Sequence, residues 1–324
     1  MKLGVFNPVL YDKTLDEALD KIKALGLDAI EIGCGNYPGD NHCKPKRLLE
    51  DSSALNEFKR KIEERGLLIS ALSCHGNTLH PSKTISTSHR QTQRNTIKLA
   101  EKLGVTRVNV FSGCPGDSEH ARYPNWVTCS WPEDYPKILE WQWRQRVIPF
   151  WSKEADFAEE NGVDKICVEM HPGFVVYNPE TMLELRKAVG KVIGVNYDPS
   201  HMFWQGIDPC AAILKLRDCM YHFHAKDTYI DPQNSAINGI LDLKSVDTNA
   251  NLAERSRYFR TVGYGHDALT WKRMISTLAL IGYDHVLSIE HEDPLMSRDE
   301  GLRRAAEFLK QILITESPAW KATL

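Results

Sequence analysis

Four stretches decide the fold: KICVEMH (165–171), VIGVNYDPSH (192–201), MYHFHAKD (220–227) and HVLSIEHED (285–293). Each is a short apolar run that ends in a ligand-type residue, namely Glu169, Asp198, His224 and Glu290. One such strand end is readily explained as packing, whereas four in succession are not. Oxygen and nitrogen donors at the carboxyl ends of successive parallel strands are what a single metal site at the mouth of a barrel requires.

Outward from these runs, short apolar segments alternate with longer amphipathic ones. Strands are expected over 2–6, 27–33, 67–73, 105–111, 165–170, 192–198, 220–225 and 285–290. The capping box Thr14-x-x-Glu17 opens a helix that runs to about Gly26. Further helices are expected over 53–66, 90–104, 140–162, 179–190, 208–218, 269–282 and 298–313, several of them stopping at a glycine. Eight strand–helix units in strict alternation predict an α/β fold: a single (β/α)8 TIM barrel over residues 1–324. A doubly wound open sheet would need fewer strands and a glycine-rich turn after the first, and FNPVLYDK has none. Two long insertions are expected on the catalytic face, 112–136 after strand four and 227–267 after strand seven. Each either shapes a pocket or serves as a packing flap or oligomer contact.

The bulk properties agree. The 324 residues suit a barrel with insertions, 42% are hydrophobic, and the formal charge of −3 offers no pull toward nucleic acid or an anionic membrane. MKLGVFNPVLYDK lacks a signal-peptide core and no run is long enough to span a bilayer, so a cytoplasmic protein is expected. Eight cysteines without a C-x-x-C pair read as free thiols in a reducing compartment.

Two glutamates, an aspartate and an imidazole suit Mn²⁺, Co²⁺, Mg²⁺, Zn²⁺ or Fe²⁺, and the lack of thiolate argues against a purely structural zinc. Such an ion can hold the carbonyl and hydroxyl oxygens of a sugar and stabilise the enediolate formed on loss of the intervening proton. Glu169 and Glu290 are the candidates to remove and return that proton. Each residue alone has a plainer explanation: a strand-end Glu at the surface, a core His, or Asp198 capping the next helix. Glu290 and Glu292 share a face by alternation; Glu290, which ends the apolar run, is preferred, and Glu292 stays open. His75 and Asn77 in SCHGN, Trp204 beside Phe203, and His266 in GYGH are candidates for substrate binding. For His75 and Asn77 a structural loop is an equal alternative, and an aromatic pair such as Phe203 and Trp204 is more often simply core. Asn7 and Glu31 rank lower.

The motifs VEMHP, NYDPSH, HFHAKD and SIEHEDP resemble the xylose isomerase-like barrel superfamily of sugar phosphate isomerases and epimerases, which includes the ketose 3-epimerases. The resemblance covers most of the chain. It implies one divalent metal, often manganese, on Glu169, Asp198, His224 and Glu290, with His201 touching substrate beside it. Tagatose-type epimerases carry a substrate-binding Arg six residues after the strand-seven His, where this chain has Ile230. Lys226 and Asp227 resemble another branch, with Lys226 a further substrate contact.

The leading expectation is therefore a metal-dependent isomerase or epimerase of a ketose or keto-sugar. The size and the aromatic insertion (Tyr123, Trp126, Trp131) also resemble the larger subunit of bacterial C-glycoside deglycosidases. That alternative implies a lyase acting on 3-keto-glycosides with a small partner subunit. A homo-oligomer is equally open. A DNA-repair endonuclease would call for more His ligands and a basic groove, and four intact ligand positions speak against a non-catalytic sugar binder. No dedicated phosphate-binding turn is visible, which favours an unphosphorylated substrate.

Overall fold

Eight strands pair in parallel and close a barrel, with helices around it. The structure, a computed structural model, describes residues 1–244 and 249–316. In chain order the strands are β1 (Lys2–Phe6), β2 (Ala29–Gly33), β3 (Leu68–Ser73), β4 (Arg107–Phe111), β5 (Lys165–Glu169), β6 (Ile193–Tyr197), β7 (Met220–Ala225), β8 (Asp227–Ile230), β9 (Arg257–Arg260) and β10 (Val286–Ile289). Each of β1 to β7 falls within a strand expected from the sequence. The eighth expected strand is β10, which closes the ring between β7 and β1.

β8 and β9 were not foreseen. They lie in the second insertion and pair antiparallel, Asp227 opposite Arg260 and Ile230 opposite Arg257. Four residues apiece are too few to show a strand period, and their pairing spans a long loop. The insertion's residues 245–248, like the chain end 317–324, lie outside the described residues.

Alternation explains how the barrel is filled. Ile30, Ile32, Val108, Val110, Ile166, Val168, Ile193 and Val195 are buried together with helix residues such as Leu19, Ile22, Ile97, Trp151, Leu185 and Leu309. Each fully buried Leu or Ile of this layer contributes about 1.5–3 kcal/mol. The intervening positions, Glu31, Asn109, Glu169, Asn196, His222, His224 and Ser288, are also buried but polar. The upper half of the barrel interior is thus a polar layer that needs internal partners.

Local signals set the helix ends. Glu17 donates its backbone N–H to Thr14 Oγ1 at 3.3 Å while its carboxylate accepts the Thr14 N–H at 2.8 Å, as the capping box requires. Helix Lys83–Leu103 stops at Gly104, whose φ of +69° a residue with a Cβ rarely adopts. The long helix expected around 140–162 is instead Asp134–Trp141 and Ile148–Glu160 joined by a π-helical turn, Gln142–Val147. Pro149 lacks an N–H and interrupts the ladder there. The widened turn buries Gln142, whose amide donates to the carbonyls of Gly116 at 3.0 Å and Asn125 at 2.7 Å and so ties down the first insertion. No helix among the described residues is long and apolar enough to cross a membrane.

Candidate metal centre and its cavity

The carboxyl ends of β5, β6, β7 and β10 bring Glu169, Asp198, His224 and Glu290 together, with one ligand atom of each within 4.8 Å of all the others. His224 Nδ1 is 2.8 Å from Glu290 Oε2 and 3.1 Å from Glu169 Oε2. Asp198 serves twice. Its Oδ1 caps helix Pro199–Phe203 by accepting the Ser200 N–H at 2.8 Å, which leaves Oδ2 facing the cluster. The capping and ligand readings of Asp198 are therefore compatible, one per oxygen.

Lys226 Nζ lies 3.0 Å from both Asp198 Oδ2 and Glu290 Oε2, and 3.1 Å from Glu292 Oε2. β10 ends at Ile289, so the alternation that would put Glu290 and Glu292 on one face no longer holds. Glu290 turns into the donor group, its side chain 15% exposed, while that of Glu292 is 51% exposed at the rim.

The electrostatics favour a cation. Glu31, Glu169, Asp198 and Glu290 meet Lys226 and a charged His224, while burial holds the neighbouring His201 and His222 well below the usual imidazole range, so the cluster is left short by about the charge of one divalent ion. Burial pushes Asp198 up to about 7, helped by Glu169 and Glu290 and opposed by Lys226. Burial also works against ionised Glu290, yet Lys226 and His224 outweigh it and hold that carboxyl down at about 2. Burial would discharge His224, but Glu31, Glu290 and Glu169 keep it charged. Among the described residues, Asp198 Oδ2, Glu290 Oε2, His75 Nε2 and His201 Nε2 are buried without a well-angled hydrogen bond, although ionic neighbours stand at 2.8–3.3 Å. Donors that converge without satisfying one another fit a metal ion, and all four predicted ligand residues are suitable for one.

Beneath this group lies a buried polar layer of which the sequence singles out only Glu31, at low rank. Glu31 from β2 accepts from His224 Nε2 at 2.9 and 3.0 Å, from Asn109 Nδ2 at 2.8 Å, and from Ser73 Oγ. Asn196 Nδ2 donates to Glu169 Oε2 at 3.1 Å. His222 is 3.7 Å from Glu31, and Glu31, His222 and His224 form a second group with metal-ligand potential. The usable signal was a polar residue inside each apolar run, as in AIEIG, VNV and VNY.

A cavity of about 430 Å³ opens above the cluster, walled by Phe6, Pro8, Tyr37 and Phe111 and reached by His75, Glu169, Lys226, Glu290 and Glu292. A second cavity of about 570 Å³ adjoins it, sharing His171 and Glu292 and including His201 and Trp204. His75 lies 3.0 Å from Glu169, and His201 3.3 Å from both Glu169 and Asp198. Asn77 turns away: its amide donates to the Cys114 carbonyl and accepts from the Cys114 and Leu79 N–H groups, pinning two loops. His266 is not brought to either cavity. It bonds Asp227 at 2.8 Å and stacks on Phe203 at 3.6 Å. The GYGH turn wraps the Asp227 carboxylate, which also accepts from the backbone of Gly263, Gly265 and His266 and from Trp271 Nε1. Asn7 likewise spends its carbonyl on the Gly33 N–H. Of the insertion aromatics, Trp126 lines the second cavity, while Tyr123 and Trp131 are 78% and 73% exposed.

Residues 19–312 match the xylose isomerase-like TIM barrel family, and the chain belongs to that family. The uncharacterized protein YfiH of Bacillus subtilis (strain 168) is 38% identical over 315 residues, covering 97% of this chain and 99% of that one. Among solved structures, D-psicose 3-epimerase from Clostridium cellulolyticum H10 with D-tagatose superposes with a TM-score of 0.60 at 17% identity, over 97% of this chain and 99% of that one. The 3-keto-D-glucoside 4-epimerase YcjR from E. coli gives 0.61 at 14% identity over 96% and 99%. The IolI protein with a bound zinc atom gives 0.65 at 19% identity over 97% and 98%. At these identities the likeness is one of fold.

Proposed function

We propose, on the premise of that family membership, that this chain is a divalent-metal-dependent isomerase or epimerase of a ketose or keto-sugar. The observation that carries the reading is the convergence of Glu169, Asp198, His224 and Glu290 at the floor of a cavity that both glutamates line. A divalent ion bound there would supply a Lewis acid that holds the sugar's carbonyl and adjacent hydroxyl oxygens and lowers the cost of the charge left by proton loss. Glu169 accepts the proton of the C–H between those oxygens, and Glu290, across the cluster, returns one to the other face. His75, 3.0 Å from Glu169, fixes that carboxylate's orientation. Lys226 and His201 stand where they can donate to substrate oxygens. Phe6, Tyr37 and Phe111 exclude water, and about 430 Å³ is a usual size for a small-molecule site. The names of the structural neighbours, two of them epimerases of keto-sugars and one carrying zinc, support the class of substrate and the use of a metal.

The test is deuterium incorporation in D₂O by protein loaded with Mn²⁺, using free ketoses, 3-keto-glucosides and an aromatic 3-keto-C-glycoside, with products read by mass and NMR. Deuterium in a rearranged sugar is expected, reduced roughly 10²–10⁴-fold in Glu169→Gln and Glu290→Gln at saturating metal. Aglycone release without rearrangement would replace the reading by elimination. No exchange with any sugar despite bound metal would end it.

A further inference from the structure

The second cavity carries chemistry that the reaction above does not use. Its walls hold four buried N–H donors with no acceptor among the described residues: Trp126 Nε1, Trp204 Nε1, Arg255 Nε and Arg257 Nε. Indole and guanidinium groups donate and never accept, so these atoms cannot satisfy one another. A buried polar atom left alone costs about 1–3 kcal/mol, and four of them on residues that line one cavity make its surroundings rich in donors and poor in acceptors.

The charges have the same sense. Neither Arg255 nor Arg257 comes within ion-pair distance of a carboxylate among the described residues, whereas Arg260, on the opposite face of β9 from Arg257, is tied to Asp293 at 3.0 Å. The Arg257 guanidinium lies 3.6 Å over the Trp204 ring, which fixes its plane. Burial, reinforced by Arg255, draws Arg257 down to about 10, still charged at neutral pH. Two carboxylates also line the cavity. Asp242 is taken by the Ser256 N–H at 2.7 Å and by Lys244 Nζ at 3.2 Å. Glu292 sits at the junction and faces Lys226. With Lys244, the wall has three cations against two engaged anions.

This lobe borders the metal centre: His201 lines it while standing 3.3 Å from Asp198 and Glu169. We propose that it is an oxyanion subsite, built to take a carboxylate or phosphate carried on the far end of the sugar whose carbonyl end lies at Glu169 and Glu290. Naming the ligand as a sugar rests on the proposed function, whereas affinity of the lobe for an oxyanion does not.

The two are separated by measuring binding without turnover. The full chain, stripped of metal by chelator and dialysed into phosphate-free buffer, is titrated calorimetrically with D-glucuronate, D-glucose 6-phosphate and neutral D-glucose. At least one anion is expected to bind about tenfold or more tighter than glucose. Arg257→Gln and Arg255→Gln should each lower that preference about tenfold, as loss of a charge-assisted contact does. Arg298→Gln, in the other cavity, should leave it unchanged. Far-ultraviolet dichroism checks that the variants fold, and two independent arginines guard against one failing to do so. The tighter anion tells carboxylate from phosphate. Equal or absent binding of anions and glucose would overturn the subsite, as would wild-type preference in both folded lobe variants or an equal loss in Arg298→Gln. Anion binding that survives while deuterium exchange fails would sink the reaction and leave the subsite standing.

Discussion

Replacing Glu31 by glutamine tests whether the polar layer beneath the cluster prepares the metal site. Glu31 is fully buried, and both its oxygens lie within 3.0 Å of His224 Nε2. That contact assigns the Nε2 proton to the carboxylate and leaves Nδ1 to face Glu169 and Glu290. The Phe6 ring, stacked on the imidazole at 5.4 Å and 22°, restricts its tilt. Glutamine preserves shape and one acceptor but removes the charge that raises the basicity of the imidazole. Loss of such a carboxylate behind a ligating histidine costs 10–100-fold in metal affinity, or about 1.4–2.8 kcal/mol. The Asn109 amide, which donates to Glu31 at 2.8 Å, would still find the glutamine carbonyl, so the fold is expected to survive.

The assay is competition for Mn²⁺ against a fluorescent chelator, following affinity and stoichiometry together. One equivalent bound 10–100-fold more weakly is expected. Unchanged affinity would refute the positioning role. Two equivalents in the wild type and one in the variant would refute it differently, by making Glu31, His222 and His224 a second ion site.

Lys226→Met removes the ammonium that sits among Asp198, Glu290 and Glu292; the metal-free protein should melt lower and gain more in Tm from added metal than the wild type does, read by calorimetry with and without Mn²⁺. Asp227→Asn should destabilise the chain by about 2–4 kcal/mol in urea titration, because one amide cannot accept the donors gathered by Gly263, Gly265, His266 and Trp271, and metal affinity should stay unchanged. Burial, with Arg107 nearby, pulls His285 down to about 4 while Nε2 donates to the Ser70 carbonyl at 3.1 Å. The unfolded chain therefore takes up this proton first as pH falls below about 6.5, so stability drops from there toward pH 4 and levels off below it. His285→Gln should shrink that drop by about 2 kcal/mol in urea melts at pH 7 and pH 4.5, and an unaltered slope would count against the assignment.

The barrel was legible because its outward strand positions are apolar and its helices punctuate with caps and glycines; Thr14, Glu17 and Gly104 act where the sequence placed them. The four ligand-type residues were legible because each breaks an apolar run at its end. Glu31, Asn109, Asn196 and His222 were harder for the opposite reason. Strands of a parallel barrel are buried on both faces, so a polar residue in mid-run reads as an isolated anomaly rather than as one face of an alternation. Only closure of the ring shows that these anomalies come from β2, β4, β6 and β7 and meet one another.

The second insertion marks where sequence reading stopped, and physics says why. His266 is a candidate in the sequence because the glycines of GYGH permit a tight turn over the site. A Cβ at Gly265 would lie 2.4 Å from the Thr228 carbonyl oxygen and 2.6 Å from Asp227 Oδ1, so this glycine serves the close wrapping of a carboxylate. The Asp227 side of β8 is thereby anchored, and the antiparallel register carries that anchoring to β9. Arg257 and Phe259 are then held against Trp204 and His201. The residues that could discriminate one sugar from another thus sit in RSRYFR, a run that looks like an ordinary basic loop until β8 pairs with it. Asp227→Asn should on this account weaken anion binding in the second cavity while sparing the metal site. Metal affinity that falls along with it would mean that the two lobes are not independent.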